Sequence, residues 1–270
     1  MSRKRTLSNQ GCQLFNIALI NRQPNHCLKS IFYKLFSSDF DDKLEKSIIN
    51  FRNSSYKLYS YLNEENKHLI PIYFDNALVN LIYLILTNDN NVNNIQQIKK
   101  NLAFYYTLAD KSSKTNDHNT AILIKAAIDN TVVKRLNIKL TKKQIKIKKE
   151  FEQKYGTFMN CNSAHLENIL NNSDNNFIPS IAILLMHYNK TKEYYKCYTK
   201  LGKLPEKLKD KNEQLKKIVK EYYEQYKDCN IDLQDLYIKD PTNLDFMENL
   251  NESSHTINLF KISQLIKQNL

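Results

Sequence analysis

The chain has 270 residues, 41% of them hydrophobic, including 17 Tyr and 12 Phe. This content supports a sizeable core and excludes a wholly disordered chain, and the length fits one large domain or one domain with an appendage. With only 3 Gly and 5 Pro, the chain lacks the turn residues of an all-β sandwich and the glycines of a phosphate-binding loop.

The net charge of +12 is typical of a protein with an anionic partner such as nucleic acid, a membrane surface or an acidic protein. Codon composition offers a second explanation. The chain has 35 Asn and is rich in Lys, Ile and Tyr, which AT-rich codons specify, so part of the charge would lie on solvated helix faces.

Cysteine spacing and hydropathy bear on the compartment. Five cysteines, an odd number without CxxC spacing, fit a reducing cytosol and predict neither a zinc site nor a disulfide scaffold. The longest apolar stretches, 77–86 and 177–186, are about half of a membrane span, and no secretory signal pattern follows Met1. We therefore expect a soluble, cytoplasmic protein with no membrane span.

Apolar residues recur at helical spacing along the chain, and no period-2 run flanked by turn residues is present. The pattern predicts an all-α fold with helices over 13–36, 41–62, 72–86, 95–109, 117–128, 141–155, 179–200 and 205–226. Aspartates that can cap a helix open the second of these, and polar loops are predicted at 88–94 and 171–176. The expected core positions include Phe15, Leu81, Leu84, Leu123, Ile124, Leu136, Ile183 and Leu184.

The sign of the charge changes near residue 230. Between residues 228 and 252, seven acids accompany one base, Lys239. We therefore predict a main domain over residues 1–230 and an acidic C-terminal helical appendage or tail over 231–270.

Residues for covalent catalysis are sparse. The six histidines never pair at i, i+4, and the motifs HExxH and GxSxG, a Walker loop and a kinase signature are missing from the sequence. We expect no cofactor, no metal and no covalent chemistry. Catalytic triads are assembled in space, so a cysteine–histidine enzyme stays as an alternative.

One helical stretch combines aromatic and basic residues. Tyr194, Tyr195 and Tyr198 alternate with lysines at 190, 192, 196 and 200, a mixture that can stack bases and hold phosphates. The alternative is a solvated helix whose tyrosines pack inward on one face.

Residues 101–136 read NLAFYYTLADKSSKTNDHNTAILIKAAIDNTVVKRL. An Asn-rich turn at 116–119, an apolar helix and a closing Arg135-Leu136 follow one another without a gap. This stretch resembles the centre of the RasGEF catalytic domain, the guanine nucleotide exchange domain that acts on Ras-type GTPases. Further similar segments follow in the family's order, at 6–15, 74–86, 177–179 and 209–226, so the resemblance covers roughly residues 5–230.

The resemblance implies an all-α domain with a protruding helical hairpin that wedges open the nucleotide site of a small Ras-superfamily GTPase. Glu193 falls where the family has an acid facing the phosphate-binding lysine, and Asn189 where it has an apolar residue near the magnesium site. Asp129 falls at the family's Asn that steadies the displaced switch, and Asn130 is adjacent. The implied GTPase-binding residues are Ser180, Ile183, His187 and Arg135.

Several positions depart from the family's pattern. Ser180 stands where the family usually has Phe, and Asn189 and Asp129 also differ. The departures imply a different GTPase, a divergent mechanism or an inactive scaffold. For Glu193 the alternative is a solvated i, i+3 partner of Lys190 or Lys196. The alternative function is a basic all-helical binding module, for nucleic acid or as a protein scaffold, without exchange activity.

The family's N-terminal exchanger motif does not fit before Thr6. A free-standing domain of this composition is compatible with a bacterial effector that is secreted into the host cytosol and acts on a host GTPase, and the acidic stretch 228–252 with an export signal. An amoebal or protozoan origin would explain the composition equally well.

Overall fold

The computed structural model describes residues 26–88, 91–92, 94–156, 161–171, 176–238 and 255–268. It divides the chain into a unit Met1–Ser47 and a unit Ile48–Leu270. Helix dominates the described residues, which confirms the all-α prediction. The predicted core residue Phe15, and the similar segment at 6–15, lie outside the described residues.

The helices run in chain order with short connections. They are α1 (His26–Ser60), α2 (Leu69–Leu86), α3 (Ile95–Lys114), α4 (His118–Asp129), α5 (Thr131–Lys134), α6 (Lys142–Tyr155), α7 (Cys161–Asn171), α8 (Ile181–Lys200), α9 (Glu206–Tyr226), α10 (Asp235–Ile238) and α11 (His255–Gln268). Two antiparallel two-residue strands, β1 (Thr87–Asn88) and β2 (Asn91–Val92), occupy the predicted polar loop after α2.

Side-chain caps fix several helix starts. Asn94, Asp117 and Asn130 each accept a hydrogen bond from a backbone N–H in the first turn of the helix that follows. Thr141 and Gln144 form a reciprocal capping box at the start of α6. Such caps satisfy backbone N–H groups that have no partner within the helix, which explains why the predicted start of this helix agrees with the structure.

Helix α2 is the centre of the larger unit. It contacts α3, α4, α8, α10 and α11, and Ala77, Leu81, Ile85 and Leu86 are fully buried. Among the described helices it alone is long and apolar enough to cross a membrane, by length and composition only. Its contacts on several sides are those of a core helix.

Two of the predicted features are corrected. Residues 26–60 form one continuous helix, so the predicted helix start at Asp41 is wrong; Asp41 and Asp42 are exposed, where a polar side chain costs the helix little. Leu84, expected in the core, is 50% exposed. The other predicted core residues after residue 15 are buried.

The C-terminal segment packs into the larger unit. Asn80 Nδ2 of α2 donates to the carbonyl of Leu236 at 2.7 Å, and Ser263 Oγ of α11 donates to the carbonyl of Val132 at 2.8 Å. Five side chains of this segment are buried: Leu233, Tyr237, Leu259, Ile262 and Ile266. The structure thus differs from the predicted division at residue 230, because these residues contribute to the core.

Candidate functional site

Helices α8 and α9 form a helical hairpin, as the proline at 205 and the periodicity predicted. The two helices contact each other and are joined by residues 201–205. The turn is a Schellman motif: Gly202 has φ of +67°, its N–H donates to the carbonyl of Thr199 and that of Lys203 to the carbonyl of Tyr198. Glycine suits this left-handed position because it has no Cβ.

The outer part of the hairpin is solvent-exposed on all sides. Thr191 on α8 and Asn212 on α9 are buried, but no residue between them is. We call residues 192–211 the hairpin tip. On α8 the tip extends about 13 Å beyond Thr191, at 1.5 Å per helical residue.

The inner end of the hairpin begins at a buried four-residue segment, residues 177–180, here called the hairpin base. The carbonyl of Ile178 accepts hydrogen bonds from the N–H groups of His118 and Asn119 at 2.9 and 3.1 Å, and its N–H donates to the carbonyl of Asn116. The N–H of Ser180 donates to His165 Nε2 at 2.9 Å. The base is therefore bonded to the start of α4 and to α7.

Tyrosines hold the base from two further helices. Tyr59 Oη of α1 donates to the carbonyl of Pro179 at 2.6 Å, and Tyr222 Oη of α9 donates to the carbonyl of Phe177 at 2.8 Å. The two rings stack with centroids 4.9 Å apart. Burial raises the pKa of Tyr59 well above its usual value, so this hydroxyl keeps the proton that it donates.

Asp117 and Asn119 connect the base to the core. Both Asp117 carboxylate oxygens accept hydrogen bonds from Thr120. Asn119 Oδ1 accepts from the N–H of Ile181, the first residue of α8, at 3.2 Å, and its Nδ2 donates to Ser55 Oγ at 3.0 Å. Burial raises the pKa of Asp117, an effect opposed by the bonds from Thr120 and by the charge of Arg52.

Two histidines complete the buried polar cluster. His118 Nδ1 lies 2.6 Å from Tyr155 Oη, which donates to Ser113 Oγ at 2.8 Å. Burial, with the charge of Lys154, lowers the pKa of both His118 and His165 to about 3. Both rings are therefore neutral near pH 7, which lets His165 Nε2 accept its bond from Ser180.

Sequence reasoning missed Tyr59, Asn119 and His165 as the residues that fix the hairpin. The segment Asp-His-Asn-Thr at 117–120 did carry a signal, because four polar residues open a helix that is otherwise apolar. Tyr59 and His165 carried none, since their partners lie 120 and 15 residues away in the sequence.

The residues predicted to act at the nucleotide site lie on the hairpin. Asn189 and Glu193 are both exposed, the second of them within the tip. Glu193 makes no ion pair with Lys190 or Lys196 or with any other described residue. The carboxylate is therefore accessible to a partner.

Three of the predicted GTPase-binding residues lie at the inner end of the hairpin. Ser180 is fully buried, its Oγ has no hydrogen-bond partner among the described residues, and Ile183 is 7% exposed. His187 is half-buried. Burial gives Ser180 and Ile183 no surface for direct contact, so in this conformation they support the hairpin from within, which corrects their predicted role.

Asp129 and Asn130 lie at the opposite end of α4 from the hairpin base, about 16 Å along the helix. Asp129 pairs with Lys125 at 2.8 Å and with Lys134 at 3.1 Å. Burial acts to raise its pKa, but the two lysines outweigh it and lower the pKa. Asn130 Oδ1 accepts from the N–H of Val132 at 2.9 Å. Both side chains are thus engaged within the chain.

Arg135, the remaining predicted contact, stacks on α11. Its guanidinium lies 3.9 Å from the ring centroid of Phe260, and Phe260 is 46% exposed. The predicted residues therefore form three separate places, namely the hairpin, the end of α4 and the α11 face, and not one cluster.

The part of the chain that the structure describes contains no group of three or more His, Cys, Asp or Glu side chains that could hold a metal ion. Cys197 and Cys229 are free thiols. No model of a known protein family matches the chain, and no curated protein matches its sequence. The function has to be inferred from the geometry.

Proposed function

We propose that this protein is a guanine nucleotide exchange factor for a small Ras-superfamily GTPase, and that the α8–α9 hairpin is the element that opens the nucleotide site. The observation that carries the proposal is a hairpin with an exposed tip, an unpaired carboxylate at Glu193 and a base fixed by buried hydrogen bonds. A wedge needs this combination of an accessible end and a rigid support.

The mechanism involves no bond chemistry. A hairpin that contacts only the nucleotide-free GTPase shifts the population toward that state, by the difference in its affinity for the two states. A carboxylate placed near the magnesium and phosphate site repels the phosphates and competes for the cations that hold them. Glu193 is the side chain that fits this role, because it is exposed and has no ion-pair partner among the described residues.

Rigidity at the base supports the same reading. A hinged hairpin would lose the free energy of contact in reorienting itself, whereas a fixed one delivers it to the GTPase. Bonds from α1, α4, α7 and α9 converge on residues 177–180. These residues position the hairpin and need not touch the GTPase.

Nucleotide release from a panel of GTPases tests the proposal. Ras, Rap, Ral, Rho and Rab-type GTPases would each be loaded with fluorescent GDP and mixed with the full chain. Acceleration on one member supports the proposal. No acceleration on any member, together with salt-dependent binding of single-stranded nucleic acid, supports the alternative of a basic binding module without exchange activity.

Glu193→Ala tests the residue-level mechanism. We expect a large loss of exchange rate with binding to the nucleotide-free GTPase retained and stability unchanged, since an exposed helical carboxylate contributes at most about 0.5 kcal/mol. Glu167→Ala is the matched control, because Glu167 is equally exposed on α7. Parental rates in both variants would disprove the role of Glu193 and leave the panel result standing.

A further inference from the structure

The hairpin tip exposes an apolar stripe that ends at its apex. Tyr194 is 49% exposed, Tyr198 42% and Leu201 67%. Steps of four and three residues place these side chains along one face of α8. Leu201 has the highest exposure among the large hydrophobic residues that the structure describes.

The turn does not require this leucine. The Schellman motif is satisfied by backbone bonds from Gly202 and Lys203, and its usual apolar contact would involve residue 203, which is a lysine here. Leu201 therefore contributes neither to the turn nor to a core, and its exposure to water is unfavourable in the isolated chain.

Lysines surround the stripe. The tip has seven lysines and three acids, namely Lys192, Lys196, Lys200, Lys203, Lys207, Lys209 and Lys211 against Glu193, Glu206 and Asp210. Lys200 and Lys203 directly flank Leu201 and Gly202 and are exposed. Their charges lie at the same end of the hairpin as the apolar side chain.

We propose that the hairpin tip binds an anionic membrane surface, with Leu201 inserted among the lipid headgroups and the flanking lysines on lipid phosphates. Tyrosine favours the membrane–water interface, and lysines extend their ammonium groups to the headgroups while their stems cover apolar surface. Nucleic acid fits less well, because an aliphatic side chain at a convex apex offers no ring for base stacking and no groove for a strand.

A single tryptophan tests insertion directly, because the chain contains no Trp. In Leu201→Trp the emission should move to shorter wavelength with phosphatidylcholine–phosphatidylserine vesicles and stay unchanged with pure phosphatidylcholine vesicles. Ile145→Trp, on α6 at a residue 43% exposed, is the control and should show no shift with either vesicle.

Co-sedimentation with the same vesicles separates the apolar and charge contributions. Leu201→Ser and the double variant Lys200→Glu/Lys203→Glu should each weaken binding, the latter about tenfold or more. Lys142→Glu/Lys143→Glu makes the same charge change at exposed positions on α6 and should bind nearly as the parent does. All of these positions are exposed, so circular dichroism should show an unchanged fold.

The proposal does not depend on exchange activity, because vesicle binding is measured on the chain alone. Equal loss in the tip and α6 charge variants, or no emission shift in Leu201→Trp, would overturn it. So would binding of a fluorescent oligothymidine by the parent chain with no binding of anionic vesicles, since the tip would then serve nucleic acid.

Discussion

His118 and His165 lie side by side next to the hairpin base, with ring centroids 6.0 Å apart. Lys154 on α6 and His187 on α8 add positive charge near them, and the buried Asp117 precedes His118. Burial, first of all, lowers both histidine pKa values to about 3. Protonation of either ring would also remove the acceptor that Ser180 or Tyr155 faces.

A depressed histidine pKa makes stability depend on pH. The unfolded chain binds protons near pH 6.5 and the folded chain only near pH 3, so the stabilisation is complete above about 6.5 and is lost as the pH falls toward 3. We expect the free energy of unfolding to fall by up to about 1.4 kcal/mol per pH unit for each histidine. Urea unfolding at a series of pH values measures this slope.

His118→Phe isolates one of the two contributions. The ring can still pack on Phe177, whose centroid lies 4.5 Å away, but it cannot be protonated. The slope should therefore decrease by about 1.4 kcal/mol per pH unit between about pH 6 and pH 4. Asp117, whose raised pKa acts in the opposite direction, is common to both proteins and cancels. Parallel stability curves for parent and variant would contradict the assignment.

Single residues were the least predictable from the sequence. Leu81 and Leu84 lie on the same apolar helix, yet the first is fully buried and the second is 50% exposed. Where an apolar helix has no polar face, its pattern does not say which side neighbours will cover. Ser180 shows the converse: a small polar residue is fully buried because residues 177–180 are bonded on all sides.

At the scale of elements, helices with a cap and a clear periodicity were predicted closely. The start of α6 at Thr141 and the division of the hairpin near Pro205 both follow from local chemistry. The continuous helix α1 was not predicted, because the polar residues after residue 36 resemble a helix start. The hydrogen bonds that hold the hairpin base were not predictable, since they join five elements that are distant in the sequence.

Asn119 is the side chain that joins the first residue of α8 to α1. Asn119→Ala leaves the buried N–H of Ile181 without its acceptor, at a cost of about 1–3 kcal/mol. We expect this cost to appear as faster hydrogen exchange over residues 177–190, with α3 still protected. Exchange measured by mass spectrometry on peptides from both regions gives the comparison.

Ser55→Ala is the matched control for Asn119. It removes the acceptor of Asn119 Nδ2 but leaves the bond from Ile181 to Asn119 Oδ1 in place. Exchange in the hairpin should therefore change less than in Asn119→Ala. Equal exchange in the two variants would show that the Ile181 bond does not position the hairpin.

At the scale of the whole molecule, composition was a poor guide to domain limits. The acidic stretch after residue 228 suggested a tail, but charge describes the exposed side chains of a segment and not its buried ones. Apolar residues of α10 and α11 recur at helical spacing and cover α2 and α5. The division after residue 230 therefore cuts through the core of the larger unit.

A chain that ends at residue 230 tests this point. It would lose the buried side chains of Leu233, Tyr237, Leu259, Ile262 and Ile266 and expose the α2 surface that they cover. The expected loss is about 5 kcal/mol or more, since burying one such side chain contributes roughly 1.5–3 kcal/mol, and this is most of the stability of a typical domain. Thermal unfolding followed by circular dichroism should show a broad transition at a much lower midpoint. Tyr237→Phe serves as the control, because it removes only a buried hydroxyl without a hydrogen-bond partner among the described residues, so its stability should equal or slightly exceed that of the parent. An unchanged midpoint in the truncated chain would mean that residues 231–270 are an appendage after all.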